Sequence, residues 1–168
     1  MDAGKEKSAY ERQKLAYERA IDRPTATLDV NPVIVTDDKK FVLAKRIPTV
    51  QEGGKWSFPG GKIFVGERIE ESLRRMTRLK TGLEIQLMFP SLSESLVGIY
   101  DDPKRDPRAH VIGFAFFCKI IGGKMKPGGN SEKVDFFSPE QIEDLDLAFD
   151  HRIIFEDALR ILKQRGKI

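Results

Sequence analysis

Cysteine occurs once in the 168 residues, as Cys118, which excludes an internal disulfide and a cysteine-built zinc site. Long apolar runs are missing too: Val111–Cys118 and Ile153–Phe155 fall far short of the ~20 residues a membrane span needs. Neither sign of charge dominates, since 29 Lys+Arg against 26 Asp+Glu leave a net +3. That mild excess argues against a nucleic-acid partner, which calls for basic residues gathered on one face. There is no repeat period and no low-complexity tract. Met1–Lys7 is charged and leads into no apolar run, so no secretory leader is expected and the cytoplasm is the expected compartment.

What is present is the balance of a globular chain, 40% hydrophobic and 33% charged. The length suits one domain with a full core. Glu6–Ile21 reads as a helix closed by Pro24, which makes 1–24 a helical extension ahead of a single domain over 25–168. Ala26–Thr36 and Phe41–Lys45 read as strands around the polar turn Asp37-Asp38-Lys39. Trp56-Ser57-Phe58 is a short strand running into Pro59-Gly60-Gly61. Glu67–Thr81 reads as a helix with Ile69, Leu73 and Met76 on one stripe, and Gly82 suits the left-handed position just beyond it. Leu83–Met88, Ser95–Tyr100, His110–Ile121 and Glu132–Phe137 read as further strands. Ser138-Pro139-Glu140-Gln141 carries a capping box with proline at the first helical position, and a last helix opens near Asp150. Strands mixed with a few helices, without regular βαβ alternation, predict an α+β sandwich.

The most informative segment is Gly60–Leu83. A glycine-rich turn between strand and helix lets backbone approach a ligand and aims the helix's free N–H groups at anions. The order Gly61, five residues, Glu67, seven residues, Arg75, six residues, Gly82-Leu83 resembles the Nudix box, G-x5-E-x7-R-E-U-x-E-E-x-G-U. The lead-in Trp56–Gly61 and the stretches Asp106–His110 and Asp135–Glu140 fit that resemblance, which covers about residues 26–162. It implies an α/β/α sandwich with a mixed β-sheet, and a hydrolase of nucleoside diphosphate derivatives that uses Mg²⁺ or Mn²⁺.

The three glutamates that follow the arginine in the box map onto Met76, Leu79 and Lys80. Spaced i, i+3, i+4, they share one helix face. Mg²⁺ wants oxygen ligands, and a thioether, an isobutyl group and an ammonium supply none. The usual metal cluster is therefore absent from this helix. A narrower resemblance, to the GDP-mannose mannosyl hydrolases, implies that Asp29, Arg46, Lys62 and Arg75 line or brace a sugar-nucleotide site. It also implies that the Gly60 carbonyl touches a metal. The ligand-plus-histidine pair of those enzymes falls on Asn130-Ser131, which leaves Glu132 as the nearest substitute for the general base and, with Gly60 and Asn130, as a ligand for residual metal.

Glu67 and Arg75 are expected to brace the loop, Glu71 and Arg75 to form a helix-face pair, and Lys80 to face phosphate. His110 reads either as a structural hydrogen-bonding residue or as part of the site rim. His151 reads as a surface residue, and Asp101, Asp102 and Asp106 as loop chemistry. The cluster Arg74, Arg75, Arg78, Lys80 reads as a solvated or phosphate-facing helix. The expectation is a Nudix-type hydrolase of a nucleoside diphosphate sugar, GDP-mannose or ADP-ribose, of low activity and with Glu132, Glu67 and Arg75 at its centre. The alternative is an inactive module of the same fold that binds such a ligand. By analogy with the mannosyl hydrolases, the leading helix is expected to form a homodimer contact.

Overall fold

In a computed structural model the described residues are Ser8, residues 11–14 and residues 25–168. Most of the expected N-terminal helix, and the dimer contact assigned to it, lies outside them. Residues 11–14 are helical, and Ser8 and Glu11 exchange capping bonds: the Ser8 N–H donates to Glu11 Oε2 at 2.7 Å and the Glu11 N–H to Ser8 Oγ at 3.2 Å.

The strands are β1 (Thr27–Ile34), β2 (Phe41–Arg46), β3 (Trp56–Ser57), β4 (Gly61–Lys62), β5 (Leu83–Leu87), β6 (Leu96–Tyr100), β7 (Val111–Gly123) and β8 (Ser131–Phe137). The helices are α1 (Ile69–Thr81), α2 (Leu92–Ser95), α3 (Pro139–Glu143) and α4 (His151–Gln164). β1 runs parallel to β7 from Thr27↔Val111 to Ile34↔Cys118, while β4, β5 and β6 add antiparallel, so this five-stranded sheet is mixed. β3, β2 and β8 form a second, antiparallel sheet.

Strand periodicity explains the layers. Val33, Phe41, Leu43 and Phe117 turn to one side and pack with Ile154, Phe155, Ala158 and Leu162 of α4. Their chain neighbours Ile34, Val42, Ala44, Phe116 and Cys118 turn to the other side and pack with Leu73 of α1. With both faces buried, the central stretches Val33–Ile34 of β1, Phe41–Ala44 of β2 and Phe114–Cys118 of β7 are continuously apolar, and the result is the α/β/α sandwich with a mixed sheet.

Pro32 is tolerated within β1 because of the same alternation. The Thr27 and Val35 amides point to β7, so the amide-less nitrogen of Pro32 faces the other edge, where β4 pairs only at Asp29 and Val30. Gly82 ends α1 with φ 71°, and a Cβ there would meet the Lys124 carbonyl oxygen at 2.3 Å, so the position is confined to glycine twice over. Ser138 and Gln141 form the capping box of α3. Two elements exceed the sequence reading: the two-residue β4 and the single turn α2, where Ser91 accepts the Glu94 N–H.

Candidate active site

The glycine loop after β3 is held against β1. A Cβ on Gly60 would meet the Val30 carbonyl oxygen at 2.2 Å and Asn31 Oδ1 at 2.6 Å. Glycine at this position is what lets the loop lie down on the strand and form one wall of a cleft. The far end of the loop is fixed by Glu67 and Arg75. Arg75 donates to both Glu67 carboxylate oxygens and, from Nη2, to the Lys62 carbonyl at 2.8 Å. Glu67 also accepts the Phe64 N–H at 3.0 Å, and the Phe64 ring lies 4.0 Å from the guanidinium carbon of Arg75. The Arg75 bonds hold the Glu67 carboxyl down to about 2. Glu71 is not the partner of Arg75: it caps the Arg68 amide, as the side chain of a capping box.

Between this loop, β1, the second half of α1, the 101–110 loop and the start of α4 lies a cavity of about 330 Å³. Five cationic side chains, Arg46, Lys62, Lys80, Arg105 and Arg108, and two carboxylates, Asp29 and Asp106, line it. Both carboxylates have partners, Asp106 the tighter one. Arg108 grips Asp106 through Nε at 2.9 Å and Nη2 at 2.6 Å. Asp29 accepts from Asn31 Nδ2 at 3.0 Å and stands 3.6 Å from Arg105, whose other face is bidentate on Asp150 at 2.7 and 2.8 Å. Burial raises Asp29 above the ordinary aspartate value against the pull of Arg105. Gly113 makes room for this pair, since a Cβ there would meet Asp29 Oδ1 at 2.8 Å.

Lys80 is 8% exposed and has no hydrogen bond or ion pair through its ammonium among the described residues. Burial, with Arg46 and Arg108 adding to it and Asp29 opposing, pulls it down to about 8. Arg46 donates from Nε to the Gln51 carbonyl at 2.8 Å, while its Nη2 is buried with no partner. Arg46 and Arg108 flank the Phe149 ring at 5.0 and 5.2 Å. Phe149 has φ 51°, the left-handed region, rare for a bulky residue and found where the surroundings over-determine the backbone.

His151 is not on the surface. It is 6% exposed, lies 5.7 Å from the Phe58 ring in a stacked arrangement, and accepts the Phe58 N–H at Nδ1 at 3.0 Å. That bond puts the ring proton on Nε2. Burial, reinforced by Arg105, Lys80 and Arg46, drops its value to about 3, so the imidazole is neutral.

Of the residues expected from the sequence, Asp29, Arg46, Gly60, Lys62, Lys80 and Asn130 line this cavity. Glu67 and Arg75 brace the loop beside it. Glu132 is outside the lining and pairs with Lys45 at 3.3 Å. The reason is strand alternation: Ser131 turns inward at 8% exposure, so its neighbour Glu132 turns out. His110 is exposed, also outside the lining, and bonded to the Asp101 carbonyl at 3.2 Å. The basic residues of α1 do not form a row. Arg74 pairs with Glu70, Arg75 with Glu67 and Arg78 with Glu84, while Lys80 turns inward. Arg105, Phe149 and His151 also line the cavity, and no motif in the sequence marks them as site residues.

Met76 is 7% exposed and packs against Gly61, Leu79 is exposed, and no three His, Cys, Asp or Glu side chains gather as a metal cluster among the described residues. A divalent ion at this helix face would meet a thioether and an ammonium. The donor set does not fit one.

The NUDIX domain family model matches residues 27–158. A protein named ADP-ribose pyrophosphatase from Methanocaldococcus jannaschii is 37% identical over 127 residues, 76% of this chain and 70% of that one. A MutT-like protein from Streptomyces ambofaciens is 23% identical over 127 residues, 76% of this chain and 73% of its own. The NUDIX domain of Shewanella oneidensis NrtR, solved with ADP ribose, superposes with a TM-score of 0.73 at 22% identity, covering 90% of this chain and 98% of that domain, a likeness of fold. The chain belongs to the NUDIX domain family. Its class is that of the Nudix-type hydrolases of nucleoside diphosphate derivatives, which generally use divalent metals such as Mg²⁺ or Mn²⁺. No described helix is long and apolar enough to cross a membrane.

Proposed function

We propose that this chain hydrolyses a nucleoside diphosphate joined to a sugar, of the ADP-ribose type, slowly and without the metal cluster of its family. The observation that carries this reading is the cavity lined by five cations and two carboxylates, with Arg46 and Lys80 buried and outside any ion pair among the described residues. A diphosphate diester brings two negative charges to those two cations. The relative named ADP-ribose pyrophosphatase favours ADP-ribose over GDP-mannose.

In this reading Arg46 and Lys80 bind the phosphoryl oxygens, and Lys62 adds charge at the exposed rim. Charge developing on the diphosphate is stabilised by fixed cations whose side chains are mostly buried in a partly open cleft. Attack of water on phosphorus, with cleavage of the bond to the bridging oxygen, yields AMP and ribose 5-phosphate and releases a proton. Asp29 is the cavity carboxylate suited to accept that proton: its value is raised and it is not bound bidentately, whereas Asp106 is occupied by Arg108. Glu132, expected from the sequence as base, is paired with Lys45 and is not used.

A second reading, binding without turnover, is favoured by the absence of an acidic cluster among the described residues. The two are separated by following AMP release from ADP-ribose, once with Mg²⁺ and once with EDTA. Slow release at equal rates is expected. Release abolished by EDTA would contradict the metal-free reading, and saturable binding with no AMP above the blank would establish the second one.

A further inference from the structure

We infer that Arg46, Lys80 and the Nε2–H of His151 form a metal-independent anion site that holds the diphosphate of the ligand, an ammonium and a guanidinium standing where relatives place a metal ion. The inference rests on the reading of the cavity given above.

Three side chains carry it, each more than nine-tenths buried: Arg46 at 6%, Lys80 at 8% and His151 at 6% exposure. They come from β2, α1 and α4 and line one cavity. Each keeps donor capacity that no described residue takes up. The Lys80 ammonium has no partner. Arg46 Nε is occupied by the Gln51 carbonyl, but Nη2 has none. His151 accepts the Phe58 amide at Nδ1, so Nε2 carries a hydrogen for which no described acceptor exists. Buried donors without acceptors are rare in folded proteins, and each calls for an explanation. Arg46 Nη2 is such a donor, and a ligand that is all acceptor satisfies it together with Lys80 Nζ and His151 Nε2, on side chains that line the same cavity.

The charged surroundings decide which ligand. Facing Lys80 are Arg46 from β2, Asp29 from β1 and Arg108 from the 101–110 loop. Asp29 is shared with Arg105 and Asn31, and Arg108 is satisfied by Asp106, so Lys80 and Arg46 are the buried cations left without an ion pair among the described residues. A metal cation is repelled by them, and a neutral sugar leaves them unpaired. A phosphate or diphosphate answers all three donors at once. His151 is held neutral, so it remains a donor through the physiological range and does not switch.

The test is calorimetric titration of the full chain with inorganic pyrophosphate and, separately, with ADP-ribose, each in EDTA and in Mg²⁺. Both ligands are expected to bind in EDTA, with Mg²⁺ changing the affinity less than about threefold. Lys80→Met, with its fold checked by a thermal melt, is expected to weaken both by about 10- to 100-fold, and Lys80→Arg to restore most of the loss. Binding that requires Mg²⁺, or undiminished pyrophosphate binding by Lys80→Met, would overturn the inference. ADP-ribose binding only with Mg²⁺ would overturn the inference while leaving the ligand assignment standing. Pyrophosphate binding in EDTA without any ADP-ribose binding would do the reverse.

Discussion

Raising the pH from about 7 to about 9 is expected to make the empty protein more stable and its hold on a diphosphate weaker. Both effects follow from Lys80. Its folded value is about 8, against 10.5 for a free lysine, because it is desolvated beside Arg46. Below about 8 the ammonium is charged in both the folded and the unfolded chain, and the cost of burying that charge falls wholly on the folded state. Between about 8 and 10.5 the folded chain has released the proton and the unfolded chain still binds it. The contribution of Lys80 to stability therefore rises with pH across that window, opposed above about 9 by Cys118, whose thiol is pushed up by burial. The full gain is about 3 kcal/mol. The neutral amine no longer attracts phosphate, so affinity falls over the same range. Lys80→Met should be the more stable protein at pH 7, by a similar amount, and should lack this part of the pH dependence. Urea unfolding of both proteins at several pH values checks it. A variant less stable than the parent at neutral pH would mean that the ammonium is paired in the folded chain.

The second large effect is expected at Arg105, whose side chain is 4% exposed between Asp29 and Asp150. Arg105→Met keeps the bulk and leaves two carboxylates facing each other with no cation between them. Removing one member of a buried ionic group costs about 3–5 kcal/mol. That is a large share of the about 5–15 kcal/mol that holds a typical domain together. The loss should be greatest near neutral pH and shrink in acid, where the orphaned carboxyls take up protons. Unfolding curves of the variant and the parent at pH 7 and at about pH 5 measure the difference. A loss independent of pH would assign the effect to packing instead of charge.

How much of this was legible in the chain depended on the range of the contacts. Local signals carried well. Gly82 adopts the left-handed cap, Ser138 and Gln141 make their capping box, and the apolar strands lie where their composition put them. The turn α2 was missed although Ser91 and Glu94 give the same capping signature, because it is short and sits between Pro90 and a strand. In the site, Lys80 stands out in sequence as a departure from a spaced motif, and Arg46 through the likeness to the mannosyl hydrolases; both line the cavity. Glu132 was placed at the centre by alignment, but strand alternation and a bulge between Lys45 and Arg46 turn it outward. His151 had no local signal. Its partner, the Phe58 amide, is 93 residues away, and only the folded chain brings α4 against the glycine loop. The same holds for Arg105 with Asp150 and for Phe149 between two guanidiniums.

The exchange of metal-binding acids for buried cations is tested most directly by titrating the ligand-free protein with Mn²⁺ while following the free-ion resonance by electron paramagnetic resonance. Carboxylate and carbonyl oxygens are what Mn²⁺ seeks, so a chain without that cluster should leave the signal undiminished. The same titration on Met76→Glu, Leu79→Glu, Lys80→Glu should deplete it. Stoichiometric loss of the free Mn²⁺ signal in the unaltered protein would contradict the account.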